Sequence, residues 1–265
     1  MQGRAVQIPI LLINLDRSTD RLAQMTGKLN DLGLAFERIA AEDGRDLSSE
    51  ETRAVYRRRF WRRELVSGEI GCYLSHLKAM RYMLGRGMDR AIILEDDLEF
   101  SEEFHEVALR QYGIQLNFDI LKLEGRVPKK QVYFEINSGA DKQLIAVFTS
   151  FGAGAYLITA DAAKRALKRL SCMRYPFDDA LFCNWRNGLT IFSLFPYPAR
   201  QSRIDTTIPD RDGKKDRRFE KHAMRMVRII PKNYDKVRKR IFQLKKFGFA
   251  GFRQRSFDEL TLFRN

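Results

Sequence analysis

Residues Ala91 to Leu94 form a short apolar run that ends abruptly in three carboxylates, Glu95, Asp96 and Asp97. Such a run is a buried strand, and carboxylates delivered at its end must face water or a cation. In an open α/β sheet the carboxyl ends of the strands line the crevice where ligands bind. A hard divalent cation in that crevice takes oxygen ligands and keeps positions free for phosphates. Glu95 and Asp97 are expected to point the same way if the strand persists through them. An isolated acidic triplet also suits a solvated loop or a helix start, so the surrounding sequence has to decide between the two.

The neighbouring pattern is that of a layered α/β domain. Ile8 to Ile13 predicts a first buried strand, followed by the loop Asn14 to Ser18, a helix over 19–32 ending at Gly33, and a strand over 34–39. Leu47 to Arg63 reads as a very basic helix, with Arg57, Arg58, Arg59, Arg62 and Arg63 flanking Phe60 and Trp61. A further helix over 68–84 is closed by Gly85 and Gly87. Beyond the acidic triplet, strands are expected at 120–123, 131–136, 144–148 and 155–158, and helices at 104–112, 160–170 and 178–187. Strand and helix alternate early and strands cluster later, which predicts a mixed sheet. The one compositional boundary falls near Asp210, dividing a domain over 1–210 from an extension over 211–265.

Several blocks, in order, carry a resemblance to a known family. The segment Gly68-Glu69-Ile70-Gly71-Cys72-Tyr73-Leu74-Ser75-His76-Leu77, followed at helix length by Ile92-Ile93-Leu94-Glu95-Asp96-Asp97, resembles the family 25 glycosyltransferases, the lipooligosaccharide and collagen galactosyltransferase group. Ile10 to Arg21, Ala40 to Gly44, Phe151 to Ile158 and Pro176-Phe177-Asp178 agree with the family's opening strand and loop, second nucleotide-side loop, central Gly-rich strand and late acidic motif. The resemblance implies a GT-A type nucleotide-sugar-binding fold. It also implies metal-dependent, inverting transfer of a hexose onto a lipopolysaccharide-type acceptor, with galactose from UDP-galactose expected and UDP-glucose or another donor as the alternative.

Those expectations assign roles to residues. Transfer from a nucleotide sugar needs the diphosphate leaving group neutralised, which a divalent cation, manganese by resemblance, does on carboxylates. Asp97 is the first candidate ligand, with Glu95 on the metal or ribose side and Asp96 beside them. A base must also take the proton of the acceptor hydroxyl. Asp178 matches the family's late Pro-x-Asp position, Asp179 adjoins it, and both equally suit the first turn of a helix. In the first loop, Asn14, Arg17 and Arg21 are candidates for holding the nucleotide, since Arg binds phosphate through paired donors. Asp43, with Gly44, is expected near the uracil or ribose. Ser75 and His76 sit mid-helix, where a hydrogen-bonded structural histidine competes with a site role. No Ser-His-Asp spacing or nucleophile elbow supports a hydrolase. A metal-dependent nucleotidyltransferase is the other enzyme class, and a membrane-associated protein on a decayed transferase fold is the non-enzymatic rival.

Charge separates the two regions. The 265-residue chain carries a formal +14, of which residues 211–265 hold +12 from 18 Lys and Arg against 6 Asp and Glu. Tyr234, Val237, Ile241 and Leu244 recur there at helical spacing between Lys236, Arg238, Lys239, Arg240, Lys245 and Lys246, with Phe242, Phe247, Phe249 and Phe252 adding aromatic surface. A basic amphipathic helix of this kind lies on anionic bilayers, each cation near the surface contributing on the order of 1 kcal/mol; the competing arrangement packs its apolar face back on the domain. No recognised nucleic-acid module accompanies the charge. Cys72, Cys172 and Cys183 make neither a zinc pattern nor an even disulfide framework, which favours a reducing compartment. With no secretory h-region at the amino terminus and no apolar stretch near ~18 residues, the expected location is the cytoplasmic side, peripheral on the inner face of the membrane.

Overall fold

The computed structural model describes residues 7–58, 64–109, 118–125, 134–137, 143–146, 152–195, 197–202, 234–242 and 244–245. The early elements are β1 (Ile10–Asn14), α1 (Thr19–Asp31), β2 (Glu37–Ala40), α2 (Ser49–Val55), α3 (Ser67–Gly85), β3 (Arg90–Glu95), β4 (Leu98–Phe100) and α4 (Glu103–Ala108). They are followed by β5 (Ile120–Lys122), β6 (Phe134–Asn137), β7 (Gln143–Ala146), β8 (Ala155–Thr159), α5 (Ala160–Arg169), α6 (Phe177–Leu181), α7 (Asn184–Asn187), β9 (Ile191–Phe195) and β10 (Ala199–Gln201).

β1 is buried along its whole length, which requires cover on both faces of its sheet. The two-residue period of a strand sends Leu11 and Ile13 into one apolar cluster and Ile10 and Leu12 into another. Tyr73, Leu77 and Met80 of α3 and Ala162, Ala163 and Ala166 of α5 line the first cluster. Met25 and Leu29 of α1, with Phe104 and Val107 of α4, line the second. Each large side chain removed from water contributes roughly 1.5–3 kcal/mol, so tertiary burial, more than helix propensity, holds α3 in place.

The sheet order is β2-β1-β3-β8-β5-β9-β7-β6. β1 pairs in parallel with β2 and β3, while β8 runs antiparallel between β3 and β5, so the mixed α/β sheet expected from the sequence is present. The chain leaves β1 for β2 on one side and returns through α3 to β3 on the other. That reversal of winding opens a crevice at the carboxyl ends of β1 and β3. The antiparallel β8 sets its amino end at the same rim, with Ala155 opposite Leu94 and Tyr156 opposite Lys122.

Several boundaries differ from the sequence reading, each for a local reason. Strand β3 stops at Glu95, Asp96 and Asp97 bend, and the chain restarts as β4, which pairs with β10 in a separate two-stranded sheet. Glu95 and Asp97 are therefore not successive same-face positions of one strand. The stretch 34–36 is spent closing α1, where Gly33 adopts φ +66° and Leu34 N–H donates to Leu29 O, so β2 begins only at Glu37. The basic helix expected over 47–63 is α2, started by a capping box between Ser48 and Glu51 and stopped where Tyr56 bridges to Met173; residues 59–63 lie outside the described residues. The helix expected over 178–187 is broken into α6 and α7 at Phe182 and Cys183. Residues 110–112, 131–133, 147–148, 203–233 and 246–265 of other expectations, the boundary near Asp210 included, lie outside the described residues. No described helix is long and apolar enough to cross a membrane.

Candidate active site

The end of β1 supplies Asn14, which is buried and bound on every side. Its amide donates to Asp96 Oδ2 at 2.7 Å and to Ser18 O, and its side-chain oxygen accepts from Arg38. Arg21 of α1 donates to the other oxygen of Asp96 at 3.1 Å. Three sequence candidates thus converge as one clamp joining β1, α1 and the end of β3. Two more meet in the next loop, where Asp43 forms ion pairs with Arg17 and with Arg45. That loop lies hard against α3: a Cβ on Gly71 would come within 2.5 Å of Gly44 N and Glu42 O, so glycine is required there. Ser75 Oγ accepts from Glu42 N–H and donates to Gly71 O, which pins the loop to the helix.

Asp97 is one of the groups left unsatisfied among the described residues. Its Oδ2 accepts from Gln201 of β10 at 2.9 Å and its carbonyl from Ser202 N–H. Oδ1 is buried and has no hydrogen-bond partner among the described residues. Burial, then the nearby Glu95 charge, push this carboxyl from 3.8 up to about 6. A buried carboxylate oxygen without a donor is costly, and a divalent cation would relieve it. The residues present therefore fit the metal implied by the resemblance, which Asp97 and Glu95 would hold.

Glu95 is oriented from behind. Its Oε1 lies 3.1 Å from His76 Nε2 and 3.6 Å from Cys72 Sγ, and its backbone N–H donates to Gly154 O. His76 Nδ1 is 3.0 Å from Tyr156 Oη, and the imidazole stacks on Phe177 at 4.1 Å. An ionised Glu95 only accepts, so Nε2 carries the proton and Tyr156 donates to Nδ1.

Two further groups, Lys122 and Glu124, were missed from the sequence. The one sign of them was a lysine interrupting the apolar run Ile120 to Leu123. Lys122 is fully buried; its Nζ donates to Gly152 O at 2.6 Å and lies 3.9 Å from the centroid of the Phe182 ring. Burial lowers its pKa, and Glu124, Asp178 and Glu95 oppose that shift. Burial raises Glu124 to about 7, Glu95 and Asp97 adding to the shift while Lys122 and the Gly154 N–H counter it. Gly152 sits at φ +85°, and a Cβ there would meet Glu124 Oε2 at 2.7 Å. Its N–H donates to Asp178 Oδ2 at 3.1 Å, so a single glycine residue, through its N–H and its C=O, ties Asp178 to Lys122. Asp178 and Asp179 occupy the first turn of α6, both half-buried, and Asp178 Oδ1 also accepts from Asp179 N–H.

The arrangement is three carboxylates (Glu95, Glu124, Asp178) around one buried ammonium, with Asp97 next to Glu95. It can hold a cation, take a proton near neutrality and present arginines at its edge. Comparison with known proteins finds that the profile of Glycosyltransferase family 25 (LPS biosynthesis protein) matches residues 7–181. A "Glycosyltransferase 25 family member" of Anopheles gambiae is 30% identical over 172 residues, covering 60% of this chain and 28% of the relative. Human "Procollagen galactosyltransferase 2" is 27% identical over 139 residues, covering 46% and 22%. Mouse "Inactive glycosyltransferase 25 family member 3" is 27% identical over 210 residues, covering 71% and 36%. The chain thus spans well under half the length of each of these relatives.

Proposed function

The chain belongs to glycosyltransferase family 25, and on that premise we propose that it transfers a hexose, galactose from UDP-galactose, to a lipopolysaccharide-type acceptor with inversion and with help from a divalent cation. The observation that carries the reading is the buried oxygen of Asp97, without a partner among the described residues, beside Glu95 at the crevice of the mixed sheet. A bound cation of the manganese type would neutralise charge developing on the UDP leaving group. Asp97 and Glu95 hold it there. The clamp of Asn14, Arg21 and Asp96 keeps the ends of β1 and β3 together, and Arg17 with Asp43 lies at the rim where the nucleoside would sit.

Asp178 takes the proton of the acceptor hydroxyl as that oxygen bonds to the anomeric carbon and the bond from that carbon to the diphosphate oxygen breaks. Gly152 N–H aims its carboxylate, and Lys122 offsets the accumulated negative charge. Glu124 is the second acceptor for that proton, favoured by a pKa near 7.

The membrane surface enters through the tail. The helical segment at 234–242 meets α7 through its polar residues: Arg186 bonds to Asp235, Arg238 donates to Trp185 O, and Lys239 Nζ lies 5.4 Å from the Trp185 ring. Its apolar residues face outward, with Tyr234 63%, Val237 56% and Ile241 46% exposed. That orientation is opposite to a helix packed by its apolar face. It supports the proposed docking on an anionic bilayer; the inner leaflet, beside a lipid-linked acceptor, is the location that goes with this proposal. The deciding experiment screens nucleotide sugars with manganese and a truncated glycolipid acceptor, reading UDP release. Release from UDP-galactose that is abolished by chelator is expected; pyrophosphate release, or no turnover with any donor, overturns the reading.

A further inference from the structure

Helix α3 carries Cys72 and His76 four residues apart, on one helical face, and β3 ends with Glu95 beside them. Cys72 Sγ, His76 Nε2 and a Glu95 carboxylate oxygen all lie within 4.8 Å of one another. The Sγ to Oε1 separation is 3.6 Å and the Nε2 to Oε1 separation 3.1 Å. A tetrahedral zinc ion with bonds of about 2.3 Å to sulfur and about 2.0–2.2 Å to nitrogen and oxygen has ligand-to-ligand edges of roughly 3.3–3.6 Å. Two of the three edges are therefore already near coordination length.

The surroundings suit a metal ligand set. The imidazole is fixed by its stacking on Phe177 and by Tyr156 Oη at Nδ1, and metal-binding histidines are pinned through the far nitrogen in this way. Cys72 and Glu95 are only partly buried, which gives an ion a path in and leaves a coordination position for water. Thiolate, imidazole and carboxylate together select a borderline-soft ion, whereas Asp97 at the crevice is an oxygen site for a hard one.

We propose that Cys72, His76 and Glu95 form a second cation site, for a thiophilic divalent ion of the zinc type, coupled to the Asp97 site through Glu95. On binding, the Cys72 thiol releases its proton and Sγ bonds the ion. His76 Nε2 offers its lone pair while Nδ1 becomes the protonated nitrogen and donates to the Tyr156 oxygen. Because the ion takes the Glu95 oxygen, its occupancy competes with the role of Glu95 toward the donor; zinc then inhibits manganese-dependent transfer, a consequence that rests on the transferase reading.

The test is titration of the metal-free full chain with cobalt(II) and zinc(II). One equivalent of cobalt is expected to give a thiolate-to-cobalt charge-transfer band. Cys72→Ser removes that band and weakens zinc binding by about 10²-fold, Glu95→Gln also weakens it, and Tyr156→Phe weakens it by about tenfold through the pinned nitrogen. Asp97→Asn leaves the band in place while losing manganese-dependent UDP binding. Absence of the band in the unmodified chain, or its survival in Cys72→Ser and so its origin at Cys172 or Cys183, overturns the site. Failure of manganese-dependent UDP binding in the unmodified chain would instead count against the transferase reading and leave the zinc titration to stand by itself.

Discussion

Replacing Asp97 by Asn should stabilise the protein in the absence of metal and disable it in its presence. Folding raises the Asp97 carboxyl from 3.8 to about 6. Two units at ~1.4 kcal/mol each make the ionised form cost ~3 kcal/mol in the fold. Asn removes that charge; an amide nitrogen left without an acceptor at the Oδ1 position would take back ~1–2 kcal/mol of that. The net gain is ~1–2 kcal/mol, or roughly 2–8 °C in Tm for a domain of this size. Because the folded-state pKa is raised, the cost is absent below 3.8, where folded and unfolded chains are both protonated, and complete above about 6. The unmodified protein therefore loses stability relative to the variant as pH climbs through that window. Thermal melts in chelator across the range from about pH 4 to about pH 8 read the effect directly. With manganese and UDP in ~100-fold excess over Kd, the unmodified protein gains ~2.7 kcal/mol and the variant gains nothing. A variant that melts at or below the unmodified protein near neutrality, or a difference that ignores pH, would refute the claim that Asp97 carries an uncompensated buried charge.

Asp178→Asn keeps the acceptor for Gly152 N–H but removes the proton acceptor, so kcat should fall by about 10²-fold with donor affinity little changed; equal loss of both would make Asp178 a positioning residue. Glu124→Gln separates the two candidate bases: if Glu124 takes the proton, kcat falls and the inflection near pH 7 disappears with it, and if Asp178 does, kcat of the variant stays near that of the unmodified protein. Asp96→Ala removes the bonds from Asn14 and Arg21 and should cost about 2–3 kcal/mol in denaturant melts, whereas an unchanged midpoint would show that the clamp contributes nothing. Deleting the residues after Arg218 should abolish salt-sensitive binding to anionic liposomes, which acts within a Debye length of ~8 Å, and should spare activity on a soluble acceptor; unchanged liposome binding removes the anchoring role.

The alternation of unbroken apolar runs with helical stretches along the sequence determined the layered α/β character, because a strand buried on both faces has to be apolar throughout, as Ile10 to Ile13 and Ala91 to Leu94 are. The same logic placed the acidic triplet at a strand end, and the ordered blocks around it were specific enough to identify the family. What only the tertiary structure decided is which of those carboxylates is satisfied. Asp96 and Asp97 are adjacent and chemically identical, yet Asp96 is held by Asn14 and Arg21 while Asp97 keeps an oxygen without a partner among the described residues. That difference depends on partners 75 to 82 residues away for one and on Gln201, 104 residues away, for the other. Lys122 and Glu124 were hidden for the same reason: a charge inside a strand is legible as functional only once the sheet has folded Gly152, Asp178 and Glu95 around it. Local pattern encodes which stretches form strands and helices and which of their positions are apolar, whereas desolvation and pairing are fixed by atoms that the chain brings together only on folding.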